Sequence, residues 1–265
     1  MSQNKPLIFV TNDDGWQAKG INALIESLTG LGEILVVAPD GPRSGMSGAI
    51  TSAHPIRCSL IRQDKQNDIT IYACTGTPVD CVKLGISEIA GRKPDLLVSG
   101  INHGSNASIC VLYSGTMGAA IEGAIFKIPS IGFSLLDHSL NADFSHTEDI
   151  VRGISEEVLK NGLPTGVCLN VNIPHSDDDP KGVKVCREAM GQWVEEFKKS
   201  EDGIGKKVYW LTGHFENDEP NDQNTDEWAL ANGYASVVPI TVDMTAHAYV
   251  EKMKKLENIF VNQKV

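Results

Sequence analysis

Six short apolar runs alternate with helix-like stretches along the first two thirds of this chain, and that order leaves few folds open. The runs are Leu7–Asn12, Ile34–Ala38, Ile69–Ala73, Leu96–Ser99, Ser130–Phe133 and Val167–Asn172. Helical patterns occupy Lys19–Leu28, Val79–Ala90, Gly115–Phe126 and Thr147–Lys160. A strand buried on both faces reads as a continuous apolar run, not as an alternating one. Strands and helices in this alternation predict a parallel sheet with helices on both faces and right-handed crossovers. At 265 residues the chain can form one large domain or two small ones. We read it as one, with a core over 1–174 and an excursion over 175–265.

The character changes after Pro174. His175–Asp226 is polar and acidic, with Asp177-Asp178-Asp179 and Glu216-Asn217-Asp218-Glu219. Such acidic runs are ordinarily solvated loop surface. The aromatic pieces Gln192–Phe197 and Lys207–Leu211 predict a hairpin-bearing excursion. Asp226–Ala231 then reads as a short helix, Tyr234–Ile240 as a returning strand and Ala246–Asn258 as a terminal amphipathic helix. Trp193, Phe197, Tyr209, Trp210 and Phe215 either anchor an interface or pack back on their own core. The excursion has no phosphate-loop signature, so its expected effect on catalysis is indirect, through ordering the rim of a site.

Glycine and small polar residues gather after the strands. Asn12-Asp13-Asp14-Gly15 follows the first, Pro39 to Gly48 the second, Thr75-Gly76-Thr77-Pro78 the third and Ser99 to Asn106 the fourth. In a parallel sheet these loops share one edge, the edge where open α/β sheets bind ligands. Asp13 and Asp14 are two adjacent carboxylates at a strand end. Their mutual repulsion favours a hard cation such as Mg²⁺ or Mn²⁺. One Asp would suffice to cap the following helix, so two exceed what capping needs.

Ser44 and Asn102, each in a glycine-flanked loop, are the best neutral oxygen ligands to complete such a site; singly, each also suits a turn. A set of Asp13, Asp14, Ser44 and Asn102 would leave positions for a phosphate and an attacking water. Ser114-Gly115-Thr116 opens a helix, where backbone N–H groups suit a phosphate; Ser114 or Thr116 could equally be a simple cap. His103 is a weak candidate for proton transfer.

Several functions are excluded. A net charge of −11 argues against duplex nucleic acid as partner. No P-loop, no dinucleotide fingerprint after the first strand and no nucleophile elbow is present. No segment is long and apolar enough to span a membrane, and none reads as a signal peptide. Six cysteines are scattered without a CxxC pair; several lie in apolar surroundings and read as small core residues, and the set predicts a reducing, cytoplasmic setting.

The ordered motifs resemble the SurE family, the stationary-phase survival 5′/3′-nucleotidases. They are Thr11-Asn12-Asp13-Asp14-Gly15, Ala38-Pro39-Asp40 with Arg43-Ser44-Gly45, Thr75-Gly76-Thr77-Pro78-Val79-Asp80-Cys81-Val82-Lys83, Val98-Ser99-Gly100-Ile101-Asn102 with Gly104 and Asn106, Tyr113-Ser114-Gly115-Thr116 with Glu122-Gly123, and Asn170-Val171-Asn172-Ile173-Pro174. The resemblance is close over about the first 175 residues. It returns at Tyr234-Ala235-Ser236-Val237.

It implies a Rossmann-like core and one divalent metal ion per subunit, held by Asp13, Asp14, Ser44 and Asn102. Asp13 and Asp14 would then be catalytic. It implies phosphate contacts near Asn106, Ser114, Gly115 and Thr116, and we add Asn12 and Gly45 from the same loops. The implied substrates are nucleoside monophosphates, and the implied assembly is a homodimer or homotetramer with exchanged C-terminal segments. The alternatives are a broader phosphatase or exopolyphosphatase, and a non-catalytic metal- or nucleotide-binding module. A receiver-like signalling domain would need a further Asp where Ala73-Cys74-Thr75 stands.

Overall fold

The computed structural model describes residues 5–139, 141–176 and 178–259. The start of the segment read as lacking a signal peptide, residues 1–4, lies outside the described residues, as does Asp177 of the acidic run.

Strand β1 (Leu7–Thr11) is buried along its whole length. It pairs in parallel with β2 (Glu33–Pro39) on one side and β5 (Leu96–His103) on the other. Outside these lie β4 (Ile69–Cys74), then β6 (Ser130–Leu135) and β7 (Val167–Ile173), all parallel to their neighbours. The order β4-β2-β1-β5-β6-β7 reverses direction between β1 and β5. That reversal opens a crevice at the carboxyl ends of those two strands.

The continuous apolar runs follow from covering both faces. Side chains alternate across a strand. Ile8 and Val10 pack in one cluster with Ile21, Leu24 and Leu28 of α1 (Lys19–Leu28) and Val151 and Val158 of α4 (Glu148–Asn161). Leu7 and Phe9 pack in another with Cys81 and Val82 of α2 (Pro78–Leu84) and Ala119 of α3 (Gly115–Ile125). Each CH₂ removed from water contributes roughly 0.8 kcal/mol, so both faces of β1 help drive folding.

Local chemistry sets the helix starts. Thr77 and Asp80 form a reciprocal capping box at α2, with Pro78 at its first position. The Thr75–Pro78 loop therefore opens a helix, as its composition suggests. The expected single helix Val79–Ala90 instead ends at Leu84 and continues as a wider π-type turn over Gly85–Ile89. Gly85 presses on the Phe9 ring, where a Cβ would stand 2.6 Å from Cζ.

Two edge strands escaped the apolar pattern. β3 (Cys58–Asp64) runs antiparallel to β4 with most residues exposed, so it has no buried face to announce it. It sets Cys58 opposite Cys74, and the two form a disulfide. Cys81, Cys168 and Cys186 are buried and free, as expected of small core residues, whereas the Cys58–Cys74 bond was not foreseen from the spacing. β8 (Val183–Val185) lies at the other edge, beside β13 (Ala235–Thr241).

β13 returns antiparallel to β7 and so joins the excursion to the main sheet. Before it come two nested two-stranded ribbons, β9 (Gly191–Val194) with β12 (His214–Asn217), and β10 (Phe197–Glu201) with β11 (Lys207–Leu211). α5 (Asp226–Ala231) occupies the expected residues. The expected terminal helix divides into α6 (His247–Met253) and a 3₁₀ turn, Lys254–Asn258. α6 buries none of its residues in this chain.

Candidate active site

The loops after β1 and β2 and the strand end of β5 meet at the reversal point. The Arg43 N–H donates to the Asp13 carbonyl at 2.6 Å, docking the second loop on the first. Gly15 (φ +97°) lets the first loop turn beneath the second: a Cβ there would stand 3.1 Å from Gly41 Cα. On β5 the register shifts between Ser99 and Asn102, which re-aims the end of that strand. A cavity of about 700 Å³ lies over this meeting point. Asp13, Ser44, Gly45, Asn102, Asn106 and Ser114 all line it.

Asp13 is 3% exposed. Burial pushes its carboxyl up to about 6, against the counter-effect of a hydrogen bond from the Thr116 hydroxyl at 2.5 Å. The charge of Asp14 adds to the upward shift. Burial also raises Asp14, and the neighbouring His103 offsets this in part. Oδ2 of Asp14 is buried without a hydrogen-bond partner among the described residues. A buried carboxylate oxygen left bare in this way is costly unless a cation satisfies it. Asn102 donates from Nδ2 to the Gly104 carbonyl at 2.8 Å, which leaves its oxygen as the free end. Ser44 is exposed at the cavity.

These donors fit a divalent metal. They are two carboxylates, one amide oxygen and one hydroxyl, all hard oxygens of the type Mg²⁺ and Mn²⁺ take. Among the described residues no group of three or more His, Cys, Asp or Glu side chains is placed to hold a metal. A site of this kind therefore depends on Ser44 and Asn102 as well as on the acids.

The remaining expected contacts divide. Ser114 lines the cavity and also caps α3, its hydroxyl accepting the Met117 N–H at 3.0 Å. Gly115 brings the start of α3 against Asp13; a Cβ there would stand 2.9 Å from the Asp13 Cβ. Thr116 is buried, with its hydroxyl committed to Asp13. Asn12 lies behind the cavity and spends both ends of its amide on Gly15, at 3.0 and 3.2 Å.

Several lining residues were not assigned to the site from the sequence. His138 lies in the loop after β6, on the same sheet edge, with its ring against Gly104. Its place after a strand was the available signal. Trp193, Glu196, Leu211, Thr212 and Gly213 come from the excursion and form part of the wall directly. The excursion, expected to act mainly by ordering the rim of the site, thus also supplies lining residues of its own. His103 lines the cavity too, edge-on to Phe144 at 5.1 Å between centroids.

With this geometry in place, comparison with known proteins is decisive for the family. The family described as "Survival protein SurE" matches residues 8–195. The chain belongs to the SurE family. It is 51% identical to the 5′-nucleotidase SurE of Phocaeicola vulgatus, over 96% of this chain and 98% of that one. It is 54% identical to the 5′-nucleotidase SurE of Flavobacterium johnsoniae, over 96% and 97%. The crystal structure of the SurE protein from Aquifex aeolicus superposes with a TM-score of 0.81 at 39% identity, covering 95% of this chain and all of that one. Membership bears out the expected Rossmann-like core with helices on both faces and C-terminal hairpins.

Proposed function

We propose that this chain is a divalent-metal-dependent phosphomonoesterase that hydrolyses nucleoside 5′- and/or 3′-monophosphates. The observation that carries this is the adjacent pair Asp13 and Asp14 at the strand-order reversal: Asp13 is buried in the wall of a cavity also lined by Asn102, Asn106 and Ser114, and Asp14 is half-buried beside it with its Oδ2 bare. The relatives named 5′-nucleotidase support the substrate class.

When bound by Asp13, Asp14, Ser44 and Asn102, the metal would polarise a phosphoryl oxygen and offset the charge of the site. The chain's own groups do the rest. The N–H groups at the start of α3 and the Asn106 amide hold the other phosphoryl oxygens. Asp13 accepts a proton from a water attacking in line with the leaving nucleoside oxygen, which departs as the alcohol once it is protonated. Tyr113 and Trp193 offer aromatic surface for the nucleobase across the cavity.

We further propose that the core over 1–174 and the excursion work as one unit, and that the protein assembles as a homodimer or homotetramer through the excursion. Phe197, Tyr209, Trp210 and Leu211 are exposed on the outer ribbon, and α6 exposes Tyr249, Val250 and Met253. A separate, mostly apolar groove of about 910 Å³ runs between α3, β13 and the start of the excursion. A second copy would cover these surfaces. The proposal sets the reaction in the cytoplasm. No helix among the described residues is long and apolar enough to cross a membrane; the Cys58–Cys74 bond is the observation that weighs against a reducing compartment.

The test is phosphate release from a panel of nucleotides, short polyphosphate, sugar phosphates and p-nitrophenyl phosphate, with Mg²⁺, Mn²⁺ or EDTA. Turnover confined to nucleoside monophosphates and abolished by EDTA is expected. Equal rates across the panel point to a broader phosphatase. Turnover that persists after exhaustive chelation sinks the metal mechanism.

A further inference from the structure

Asparagine is a poor strand residue, and a buried amide is costly unless every polar atom finds a partner. β7 nonetheless carries two, Asn170 and Asn172, both 0% exposed. Two residues apart, they lie on the same face of the sheet. Their register partners on β6 are Gly132 and Ser134. The start of α3 covers that face, since a Cβ at Gly132 would stand 3.6 Å from Thr116 Cγ2.

The two amides are spent on one residue. Oδ1 of Asn172 accepts the backbone N–H of Asn106 at 2.8 Å. Nδ2 of Asn170 donates to the Asn106 carbonyl at 2.8 Å. Nδ2 of Asn172 donates to Oδ1 of Asn170 at 3.0 Å, which locks the pair together. The loop has already left the β5–β6 ladder, its last rung being the Gly104 N–H to the Leu135 carbonyl. Beyond that rung, β7 side chains stand in for the neighbouring strand that Asn106 no longer has.

The Asn106 side chain is oriented in the same way. Its Nδ2 donates to Oγ of Ser134 at 2.8 Å. A side-chain amide carries two N–H bonds, so the second remains for an oxygen in the cavity. Two residues on, the loop is held again. Ser108 takes φ +52°, its N–H donates to the buried carboxylate of Asp226 at 2.7 Å, and its hydroxyl donates to the Ala189 carbonyl at 2.7 Å. Left-handed backbone of this kind persists where the surroundings over-determine it.

We propose that Asn170 and Asn172 are positioning residues: they hold Asn106 so that its free amide N–H meets the substrate phosphate. The proposal rests on the phosphomonoesterase reading. It assigns a catalytic purpose to two polar residues on a strand that contributes nothing to the cavity wall itself. Small displacements of a positioned group cost large factors in rate, of order 100-fold per ångström.

The test compares Asn172→Ala with Val171→Ala. Val171 is also fully buried, on the same strand, but packs in the cluster on the opposite face. Both variants lose stability; only the first releases Asn106. The measurements are Tm, the Kd for Mg²⁺ alone, the Kd for inorganic phosphate in saturating Mg²⁺, and KM and kcat for a nucleoside monophosphate. In Asn172→Ala we expect phosphate Kd and KM to rise about 10-fold and kcat/KM to fall about 10- to 100-fold, with Mg²⁺ affinity unchanged. Val171→Ala should match its loss of Tm and keep wild-type phosphate affinity. If Asn172→Ala does not fold, Asn170→Ala carries the same test, because it leaves the Asn106 N–H bonded. Wild-type turnover together with equal phosphate affinity in the two variants overturns the proposal alone. A wild-type protein that neither binds phosphate nor turns over overturns the functional reading, and this proposal with it.

Discussion

The hydroxyl of Thr116 donates to Oδ1 of Asp13 at 2.5 Å, joining two residues 103 apart in the chain. One is the second residue of a helix and the other lies in the loop two residues past the end of β1. The bond stabilises the ionised form of a carboxylate that burial otherwise drives towards protonation.

Thr116→Val should therefore raise the Asp13 pKa above about 6. A hydrogen bond to a charged group is worth about 1.5–3 kcal/mol, which corresponds to roughly 1–2 pH units. The Asp13 carboxyl titration of the metal-free protein, followed by NMR, should move up by that order. An unmoved titration would mean that the Thr116 hydroxyl does not stabilise the ionised form.

Asp13→Asn should abolish most turnover and yet stabilise the metal-free fold. The unfolded chain ionises Asp13 near 3.8 and the folded chain near 6, so between them the folded state holds the extra proton. Stability from this group is thus greatest below about 4 and is lost as pH rises through about 6. At neutral pH the cost is about 3 kcal/mol. Denaturant melts of apo protein at pH 5 and 7 should show that pH difference shrinking in the variant. A less stable variant at pH 7 would contradict the burial argument.

Asn102→Ala should weaken metal binding more than the fold. The residue is half-buried at the cavity and loses one hydrogen bond, to the Gly104 carbonyl. The expected effect is about 10-fold or more in metal Kd, against about 1 kcal/mol in stability. A sharp fall in apo Tm with unchanged metal titration would make Asn102 a turn residue only.

Trp193→Ala should raise KM for nucleoside monophosphates several-fold, with little effect on ribose 5-phosphate. A base–aromatic stack contributes about 1–3 kcal/mol, and Trp193 lines the cavity. Equal losses on both substrates would point to a general distortion of the wall.

Sedimentation of the full chain should show at least a dimer at micromolar concentration. Tyr209 and Trp210 are exposed on the outer ribbon, and replacing both with Ser should weaken association if that ribbon is the contact. A fully active monomer would refute the assembly and leave the chemistry standing.

The sheet core and the position of the acid pair were legible in the sequence by itself. Each core strand is buried on both faces, so Leu7–Thr11 and its neighbours are apolar without interruption. The turn-rich loops that follow them must share an edge in any parallel sheet. What only the tertiary structure decided lies where no local pattern exists. β3 is exposed along most of its length and pairs Cys58 with Cys74 through long-range register alone. Trp193 enters the cavity wall because nested ribbons fold back over the site. The double hold on Asn106 joins residues 64 and 66 positions apart. A hydrogen bond between distant residues leaves no periodicity in either segment, so only the folded chain shows which buried amide serves which loop.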